Sequence, residues 1–328
     1  MTLPEDLTLT LENLFEKISK ASIAKASADL SSRYRSEDRD ATVSFMTSET
    51  HRMAYLAVRL PATFSVVKRV LNELRQRLPL FSPTTLCDIG AGPGTASWAA
   101  IDVFPAIDRV SLHEKDKWWL ATGKKMMGTS SHQSLRNAQW VETDLMQASS
   151  FGLHDLTVLS YVVGELSIDA MKRLIDDAWE STSQVISIIE PGTPHGFERI
   201  RIIREHLLGK QAHLVAPCPH EKACPMKDGD WCHFSERVAR SSLHMAVKDV
   251  KMGYEDEKFS YVIASKSPVE LPESRILRHP KHHSGHIDLV LCGQTGIENK
   301  TVSKKLGVLY KQTRKLDWGD SWPPSSIN

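Results

Sequence analysis

The sequence has no long apolar run and no recognisable leader at its start. No stretch of its 328 residues approaches the roughly 20 apolar residues that a membrane span needs. Residues 1–6 are acidic where a mitochondrial transit peptide is rich in arginine, and they lack the apolar core of a secretory signal. We therefore expect a cytoplasmic protein with no membrane partner.

Cysteine is also scarce, at five residues in the whole chain. A disulfide framework is typical of small secreted domains, so five cysteines in an intracellular chain indicate metal or redox use instead.

The hydrophobic fraction of 41% and the charged fraction of 25% are ordinary for a globular protein. The length predicts two domains, or one large domain with an insertion. We expect a monomer.

A net charge of only +1 conceals an uneven distribution. Residues 1–198 hold 20 Lys and Arg against 25 Asp and Glu, a balance of −5. Residues 199–328 hold 21 against 15, a balance of +6. A basic C-terminal half favours a nucleic-acid partner, although solvated surface lysines explain the same count.

The glycine-rich segment 86–95, Leu-Cys-Asp-Ile-Gly-Ala-Gly-Pro-Gly-Thr, organises the chain. It lies between a predicted buried strand, Thr85–Ile89, and a predicted helix, Ala96–Val103. Its three glycines, Gly90, Gly92 and Gly94, allow a sharp turn and a close approach of a ligand to the backbone. The helix N-terminus then offers free N–H groups. Glu114, twenty residues past Gly94 at the end of the next predicted strand, suits a ribose. The pattern indicates a nucleoside-cofactor site.

The remainder of the chain predicts an α/β fold. Residues 1–82 have helical periodicity, and from Pro83 strands and helices alternate, which favours a mainly parallel sheet covered on both faces. Ligands bind such sheets at the carboxyl ends of the strands. Four further candidates lie there: Asp144, Ser160, Tyr161 and Glu165. We expect Phe259–Ala264 and His286–Cys292 to be the last two strands of the same sheet.

The run from Asp88 to Gly94 has the order G-x-G-x-G, whereas dinucleotide-binding folds usually carry G-x-G-x-x-G. It resembles the first motif of class I S-adenosylmethionine (SAM) methyltransferases. That resemblance implies SAM over the glycines, ribose on Glu114 and the adenine amino group near Asp144. The chain lacks Asn/Asp-Pro-Pro-Tyr/Phe after the fourth strand and a cysteine placed as a nucleophile, so no acceptor or catalytic base is assigned. A NAD-dependent oxidoreductase is the weaker alternative.

A cysteine-rich segment follows. Cys218, Cys224 and Cys232 have the spacing Cys-x5-Cys-x7-Cys, and Cys292 ends a later predicted strand that could return to them. Four thiolates suit zinc or an iron–sulfur cluster. The tight Cys-x2-Cys knuckles of structural zinc are absent, which favours a cluster. Cys87 lies within the first predicted strand, where a buried core thiol is the simplest interpretation.

With these residues in view, the chain resembles the methyltransferase-like family associated with the small ribosomal subunit, which includes mitochondrial assembly factors and bacterial homologues. The matching motifs span most of the chain in the same order: Arg59–Thr63, Asp88–Thr95, Ser160–Leu166, Glu190–Pro194, Cys218–His220, Cys224-Pro, Asp230–Ser235 and Trp318–Trp322.

The resemblance implies a SAM-binding methyltransferase-like protein that acts on the small ribosomal subunit and its 16S-type rRNA. A non-catalytic assembly factor is the alternative. The resemblance also implies a structural [4Fe–4S] cluster on Cys218, Cys224, Cys232 and Cys292. The expected organisation is a helical region (1–82), a class I methyltransferase domain with a seven-stranded sheet (83–298) and a cysteine-rich insertion (214–240), and a basic tail (299–328). Six cations between 299 and 315, with no acid, favour RNA binding by the tail.

Overall fold

The computed structural model describes residues 2–16, 18–35, 48–147, 150–240, 244–245 and 252–324. Residues 325–328 of the predicted basic tail lie outside this part of the chain. No helix within it is long and apolar enough to cross a membrane.

The N-terminal region is helical, as the periodicity predicts. It forms α1 (Glu5–Phe15), α2 (Lys20–Arg35) and the 29-residue α3 (Glu49–Arg77). Ser48 caps α3 by accepting a hydrogen bond from the backbone N–H of His51 at 3.2 Å, which satisfies one of the free donors of the first turn. One face of α3 buries a continuous apolar stripe against the sheet domain, so this helix belongs to the main core.

Eight strands form the main sheet. They are β1 (Thr85–Ile89), β2 (Arg109–Glu114), β3 (Gln139–Glu142), β4 (His154–Ser160), β5 (Thr182–Pro191), β6 (His213–Ala216), β7 (Phe234–Ala239) and β8 (Tyr254–Ser265). The helices between them are α4 (Thr95–Val103), α5 (Lys117–Met127), α6 (Gln133–Arg136), α7 (Ile168–Glu180) and α8 (Pro194–Gly209).

The strand order is β3-β2-β1-β4-β5-β8-β6. The first five strands are mutually parallel, whereas β8 runs antiparallel between β5 and β6. The predicted sheet had seven strands. The eighth, β7, is present because β8 is long: its second half pairs with β5 and β6, and its first half extends past them and pairs with β7.

Alternating side chains of the sheet enter two separate cores, as the period of a strand requires. Leu86 of β1 joins the core with α3 and α4, whereas Cys87 and Ile89 join the core with α7 and α8. Cys87 is fully buried, as a core thiol should be. With both faces covered, the carboxyl edge of the sheet is where a ligand can approach the strands.

The C-terminal part forms a second sheet, which corrects two expectations. Its strands are β9 (Ser274–Ile276), β10 (Lys281–His282), β11 (His286–Gly293), β12 (Gly296–Ser303) and β13 (Ser321–Trp322). The short helix α9 (Val308–Thr313) lies after β12 in the chain. Only Phe259–Ala264 lies in the main sheet; the segment His286–Cys292 does not.

The predicted boundary at 298/299 falls inside β12, which pairs with β11 along its whole length. The basic segment after 299 is therefore an ordered strand and helix rather than a detached tail. Pairing between β11 and β12 and the buried cluster around Leu289, Leu291 and Tyr310 hold it in place. Between residues 299 and 315 the buried apolar positions of this cluster are Val302 and Tyr310, which occur among lysines, and the high polarity of the segment conceals them in the sequence.

Candidate functional site

The glycine loop leaves β1 and enters α4 at the carboxyl edge of the sheet. Gly90, Gly92 and Gly94 have φ values of +71°, +54° and +84°, which only glycine adopts readily. A Cβ on Gly90 would lie 2.3 Å from Val162, and one on Gly94 would lie 2.3 Å from Met127. At Gly92 a Cβ would meet nothing within 4 Å. Gly92 therefore marks the open side of the loop, where a ligand can lie against the backbone.

Glu114 ends β2 beside this loop. Its Oε2 atom accepts a hydrogen bond from the backbone N–H of Gly92 at 2.7 Å. Its Oε1 atom accepts from the N–H groups of Lys115 and Asp116, each at 2.8 Å. The carboxylate is thus held at the rim of the open space above Gly92, where a ribose would meet it.

Asp88 lies beneath the loop and is fully buried. Its Oδ2 atom accepts hydrogen bonds from the backbone N–H and the hydroxyl of Ser97 in α4, and Oδ1 has no partner among the described residues. Burial raises the pKa of Asp88 to about 7, and the charge of Glu114 adds to the shift while the Ser97 bonds oppose it. The unused Oδ1 is the atom of Asp88 that a bound cofactor could engage.

Asp144 follows β3 on the same edge. The Nζ of Lys115 donates to it at 2.8 Å, and the N–H of Met146 donates at 3.1 Å. The hydrogen bond from Lys115 lowers the pKa of Asp144, so the group is a carboxylate at neutral pH.

Ser160 and Glu165 lie at and just after the end of β4. Ser160 is the last residue of this strand, and Glu165 ends a short 3₁₀ helix, Val163–Glu165. Burial, together with the charge of Glu114, raises the pKa of Glu165. Each predicted cofactor residue therefore lies at or after the carboxyl end of a strand of the main sheet.

Sequence reasoning missed the role of Glu190, which is 2% exposed at the end of β5. Its Oε1 atom accepts from the N–H of Val163 at 3.0 Å, which fixes the segment after β4. Burial raises the pKa of Glu190 to about 7, although this hydrogen bond and the charge of Arg199 oppose the shift. An acid inside the apolar run of β5 was the available signal.

Helix α3 forms a wall over this edge. Arg52 binds Asp116 at 2.6 Å, and the ring of Tyr55 packs edge-on against Trp119 at 5.5 Å between centroids. Arg59 makes two hydrogen bonds to Glu257 of β8, at 2.7 and 2.9 Å. Arg59 is therefore engaged with a protein carboxylate, which closes α3 onto the sheet beside the cofactor edge.

A second site lies between the two sheets. Cys218, Cys224 and Cys232 come from the loop between β6 and β7, and Cys292 comes from β11. All four line one cavity, although Cys292 is sixty residues past Cys232 in the sequence and lies in the other sheet. The predicted convergence is present even though β11 is not a strand of the main sheet. All four cysteines are free.

Burial disfavours the thiolate form of three of the four cysteines. Burial raises the pKa of Cys232, and the other three thiolates add to that shift. Burial also raises the pKa of Cys224, and that of Cys292 to about 12. Thiols that resist ionisation on their own need a cation to stabilise the thiolate form.

The spacing of the sulfur atoms bears on which cation fits. Tetrahedral zinc with Zn–S bonds of about 2.3 Å brings each pair of sulfurs to about 3.8 Å. In the described part of the chain, no three cysteine sulfurs lie within 4.8 Å of one another. The described residues contain one group that close, His283, His286 and Asp288 on the β10–β11 hairpin, where the two exposed imidazoles stack on each other. The four sulfurs are therefore spread more widely than the ligands of a tetrahedral zinc site.

The strand order and the glycine site together define the class of protein. Five parallel strands ordered 3-2-1-4-5, continued by an antiparallel strand between β5 and β6, constitute the class I SAM methyltransferase fold. Solved structures with a related fold include magnesium protoporphyrin IX methyltransferase from Synechocystis PCC 6803 (TM-score 0.41, 12% identity, 81% of this chain and 100% of that one). Another is an O-methyltransferase family protein from Burkholderia thailandensis (TM-score 0.43, 12% identity, 68% and 61%).

Within that class, residues 49–323 match the family model described as mitochondrial small ribosomal subunit Rsm22, and the chain belongs to this family. It is 27% identical over 293 residues to the human mitochondrial ribosome assembly protein METTL17, covering 83% of this chain and 62% of that protein. It is 23% identical to the mitochondrial Rsm22-cox11 tandem protein 2 of Schizosaccharomyces pombe, covering 98% and 51%. The chain spans about half to three-fifths of the length of these relatives.

The expectation of a cytoplasmic protein is wrong. The family description and the names of both relatives are mitochondrial, and they point to the mitochondrion. The expectation rested on the composition of residues 1–6, which is a weak guide to where a protein resides.

Proposed function

We propose that this chain is a SAM-binding, methyltransferase-like factor that acts on the small ribosomal subunit during its assembly. The observation that carries the proposal is the open glycine at position 92 beside Glu114, in a chain that belongs to the Rsm22 family. The fold alone would not identify a substrate, because the same fold hosts many reactions.

The residues at the carboxyl edge suit SAM. The backbone at Gly92 would lie against the cofactor, Glu114 would accept from the ribose hydroxyls, and Asp144 would accept from the adenine amino group. Asp88 and Ser97 keep the loop in register with α4. When bound, SAM supplies an electrophilic methyl group. Transfer to a pre-aligned acceptor can rely on positioning, which Ser160 and Glu165 at the edge of the site would provide.

We propose that Cys218, Cys224, Cys232 and Cys292 hold a structural [4Fe–4S] cluster. Two observations favour a cluster over zinc: the sulfurs are too widely spaced for one ion, and the spacing in sequence lacks Cys-x2-Cys pairs. Because the protein supplies four thiolates, no position is open for substrate chemistry. The cluster would fasten β11, and with it the second sheet, to the loop after β6.

We propose that the second sheet contacts 16S-type rRNA. Six cations after residue 299 are exposed, and none pairs with a carboxylate in the described part of the chain; they are Lys300, Lys304, Lys305, Lys311, Arg314 and Lys315. An ordered basic surface binds phosphates by releasing counterions. The protein would act as a monomer.

A second candidate function, docking without methyl transfer, has its own support. The Arg59–Glu257 pair closes α3 onto β8 beside the cofactor edge, and no acceptor-binding motif follows β4. On this alternative, SAM binding would stabilise a fold that is used for assembly.

Nucleoside mass spectrometry of small-subunit RNA, from the wild type and from a strain without this protein, tests the proposal and separates the two candidates. Loss of one methylated nucleoside in the deletion strain supports methyl transfer. Unchanged methylation together with accumulated immature subunits supports docking. Unchanged methylation with normal subunits contradicts both.

A further inference from the structure

Two arginines are buried at the wall of the cysteine cavity. Arg204 of α8 is 2% exposed and Arg275 of β9 is 1% exposed, and both line the cavity with the four thiols. Arginine is almost never fully buried without a partner, because removing its charge from water is costly. The anionic partner of each arginine therefore explains why it is there.

Arg204 is fixed against the first cysteine. Its Nε donates to the Sγ of Cys218 at 3.3 Å, and Nη2 donates to the carbonyls of His220 and Lys222 at 2.9 and 2.6 Å. Nη1 contacts Glu205, whose side chain is half exposed and so is screened by water. Burial disfavours the charge of Arg204, but the Cys218 thiolate raises its pKa.

Arg275 approaches from the other sheet. Its Nε donates to the carbonyl of Pro217 at 2.8 Å, and Nη1 donates to Gly319 at 2.7 Å and pairs with Glu73 of α3 at 2.8 Å. Its Nη2 has no acceptor among the described residues. A buried guanidinium nitrogen left free beside a cavity of thiols indicates that its acceptor is part of the centre that fills the cavity.

Glu205 and Glu73 each pair with one of these arginines, and an anionic centre adds a second negative neighbour to both. Four thiolates around a [4Fe–4S]²⁺ core carry a net charge of −2, and one-electron reduction makes it −3, with no proton or bond exchanged. We propose that Arg204 and Arg275 are the charge-compensating residues of this centre and set its reduction potential, since fixed positive charge stabilises the reduced state more than the oxidised one. This inference rests on the proposed cluster.

The two arginines should contribute unequally. Glu73 partly neutralises the charge of Arg275, and the side chain of Glu73 is itself largely buried. Glu205, the acidic partner of Arg204, faces solvent, and Arg204 bonds directly to a ligand sulfur. Arg204 therefore has the larger effect on the potential, and Arg275 the smaller.

The test is a redox titration of the anaerobically purified full chain, with dithionite as reductant and electron paramagnetic resonance as readout. We expect Arg204→Gln to shift the midpoint potential to a more negative value, and Arg275→Gln to shift it less in the same direction. Arg204→Lys, which keeps the charge, should stay close to wild type. The control Arg237→Gln removes an exposed arginine paired with Asp256 and should leave the potential unchanged.

Equal potentials, or zinc without iron, overturn the inference, and loss of iron from Arg204→Gln is resolved by Arg204→Lys. Iron bound with equal potentials in wild type, Arg204→Gln and Arg275→Gln means that the arginines are structural. If Arg204→Gln loses iron, Arg204→Lys decides: iron retained at the wild-type potential supports the charge role, and iron lost assigns Arg204 to hydrogen bonding alone. Zinc without iron in the wild type contradicts the proposed cluster itself, and this inference fails with it.

Discussion

The carboxylate of Glu114 accepts a hydrogen bond from the backbone N–H of Gly92 at 2.7 Å, so the acid at the end of β2 and the open glycine of the loop form one unit. The bond holds the left-handed backbone of Gly92 against the sheet while its Cα faces empty space. The proposed cofactor site is therefore preorganised, which lowers the entropic cost of binding.

Gly92→Asp should abolish SAM binding and leave the protein folded. The new carboxylate would enter the space above the loop and repel Glu114, while its Cβ meets no protein atom within 4 Å. Calorimetry should show at least a hundredfold loss of SAM affinity. Gly152→Asp is the matched control, because Gly152 also has a positive φ (+73°), its Cβ would make only an ordinary contact with His154 at 3.5 Å, and it precedes β4 at the opposite edge of the sheet from the glycine loop. Equal affinity in the wild type and Gly92→Asp would exclude this loop as the site.

Glu190→Gln should change how stability depends on pH. The folded-state pKa of Glu190 is raised from 4.5 to about 7, so the folded protein holds a proton that the unfolded chain releases between these values. The free energy of unfolding of the wild type therefore falls, relative to that of the variant, as pH rises from 4.5 to 7. The total fall is about 3 kcal/mol, and it levels off above pH 7.

Chemical denaturation of the wild type and Glu190→Gln at pH 5, 6, 7 and 8 measures this difference directly. The two proteins share all other titrating groups, including Asp88, whose pKa is raised in the same way. A constant difference across this range would mean that Glu190 is ionised in the fold.

The Arg59–Glu257 pair should be coupled. Arg59→Met leaves Glu257, a largely buried carboxylate, without its partner. Glu257→Gln removes the negative charge that pairs with Arg59. Each single variant should lose about 1–3 kcal/mol of unfolding free energy, and the double variant should lose less than the sum of the two. Additive losses in a double-mutant cycle would show that the pair does not hold α3 to β8.

Iron content should depend on Cys292, even though this residue lies in the second sheet. Cys292→Ser should lose most of the iron and sulfide of anaerobically purified protein, because it removes one of the four thiolates that we propose as ligands. Cys87→Ala is the control: Cys87 is buried in β1 and does not line the cysteine cavity, so its iron content should match the wild type. Full iron retention by Cys292→Ser would remove that residue from the ligand set.

Sequence alone predicts the parts of this protein whose chemistry is local. The glycines of 90–94 need their own backbone angles, and Asp88, Glu114 and Asp144 lie at or just after the ends of strands that periodicity detects. Pairing partners are not local. Nothing in the segment His286–Cys292 states that its neighbours are β9, β10 and β12 rather than β8, and Val302 is the one fully buried residue of β12, a largely polar and exposed strand.

Buried charged residues could not be predicted from the sequence either. Glu190, Arg204 and Arg275 occur within apolar or mixed segments, and a sequence does not show which charged side chains are buried. Each is explained by a partner distant in sequence: Val163, Cys218 and Glu73 respectively. The partner of Arg59 is equally distant, because Glu257 lies almost 200 residues further along the chain.

The central claim is that this chain matures the small ribosomal subunit through its SAM site. The most direct measurement is the sedimentation profile of ribosomal particles in a strain lacking the protein, complemented with the wild type, Gly92→Asp or Gly152→Asp. The account predicts that the wild type and Gly152→Asp restore mature small subunits, whereas Gly92→Asp leaves immature particles as the deletion does. Full restoration by Gly92→Asp, at equal protein levels, would contradict it.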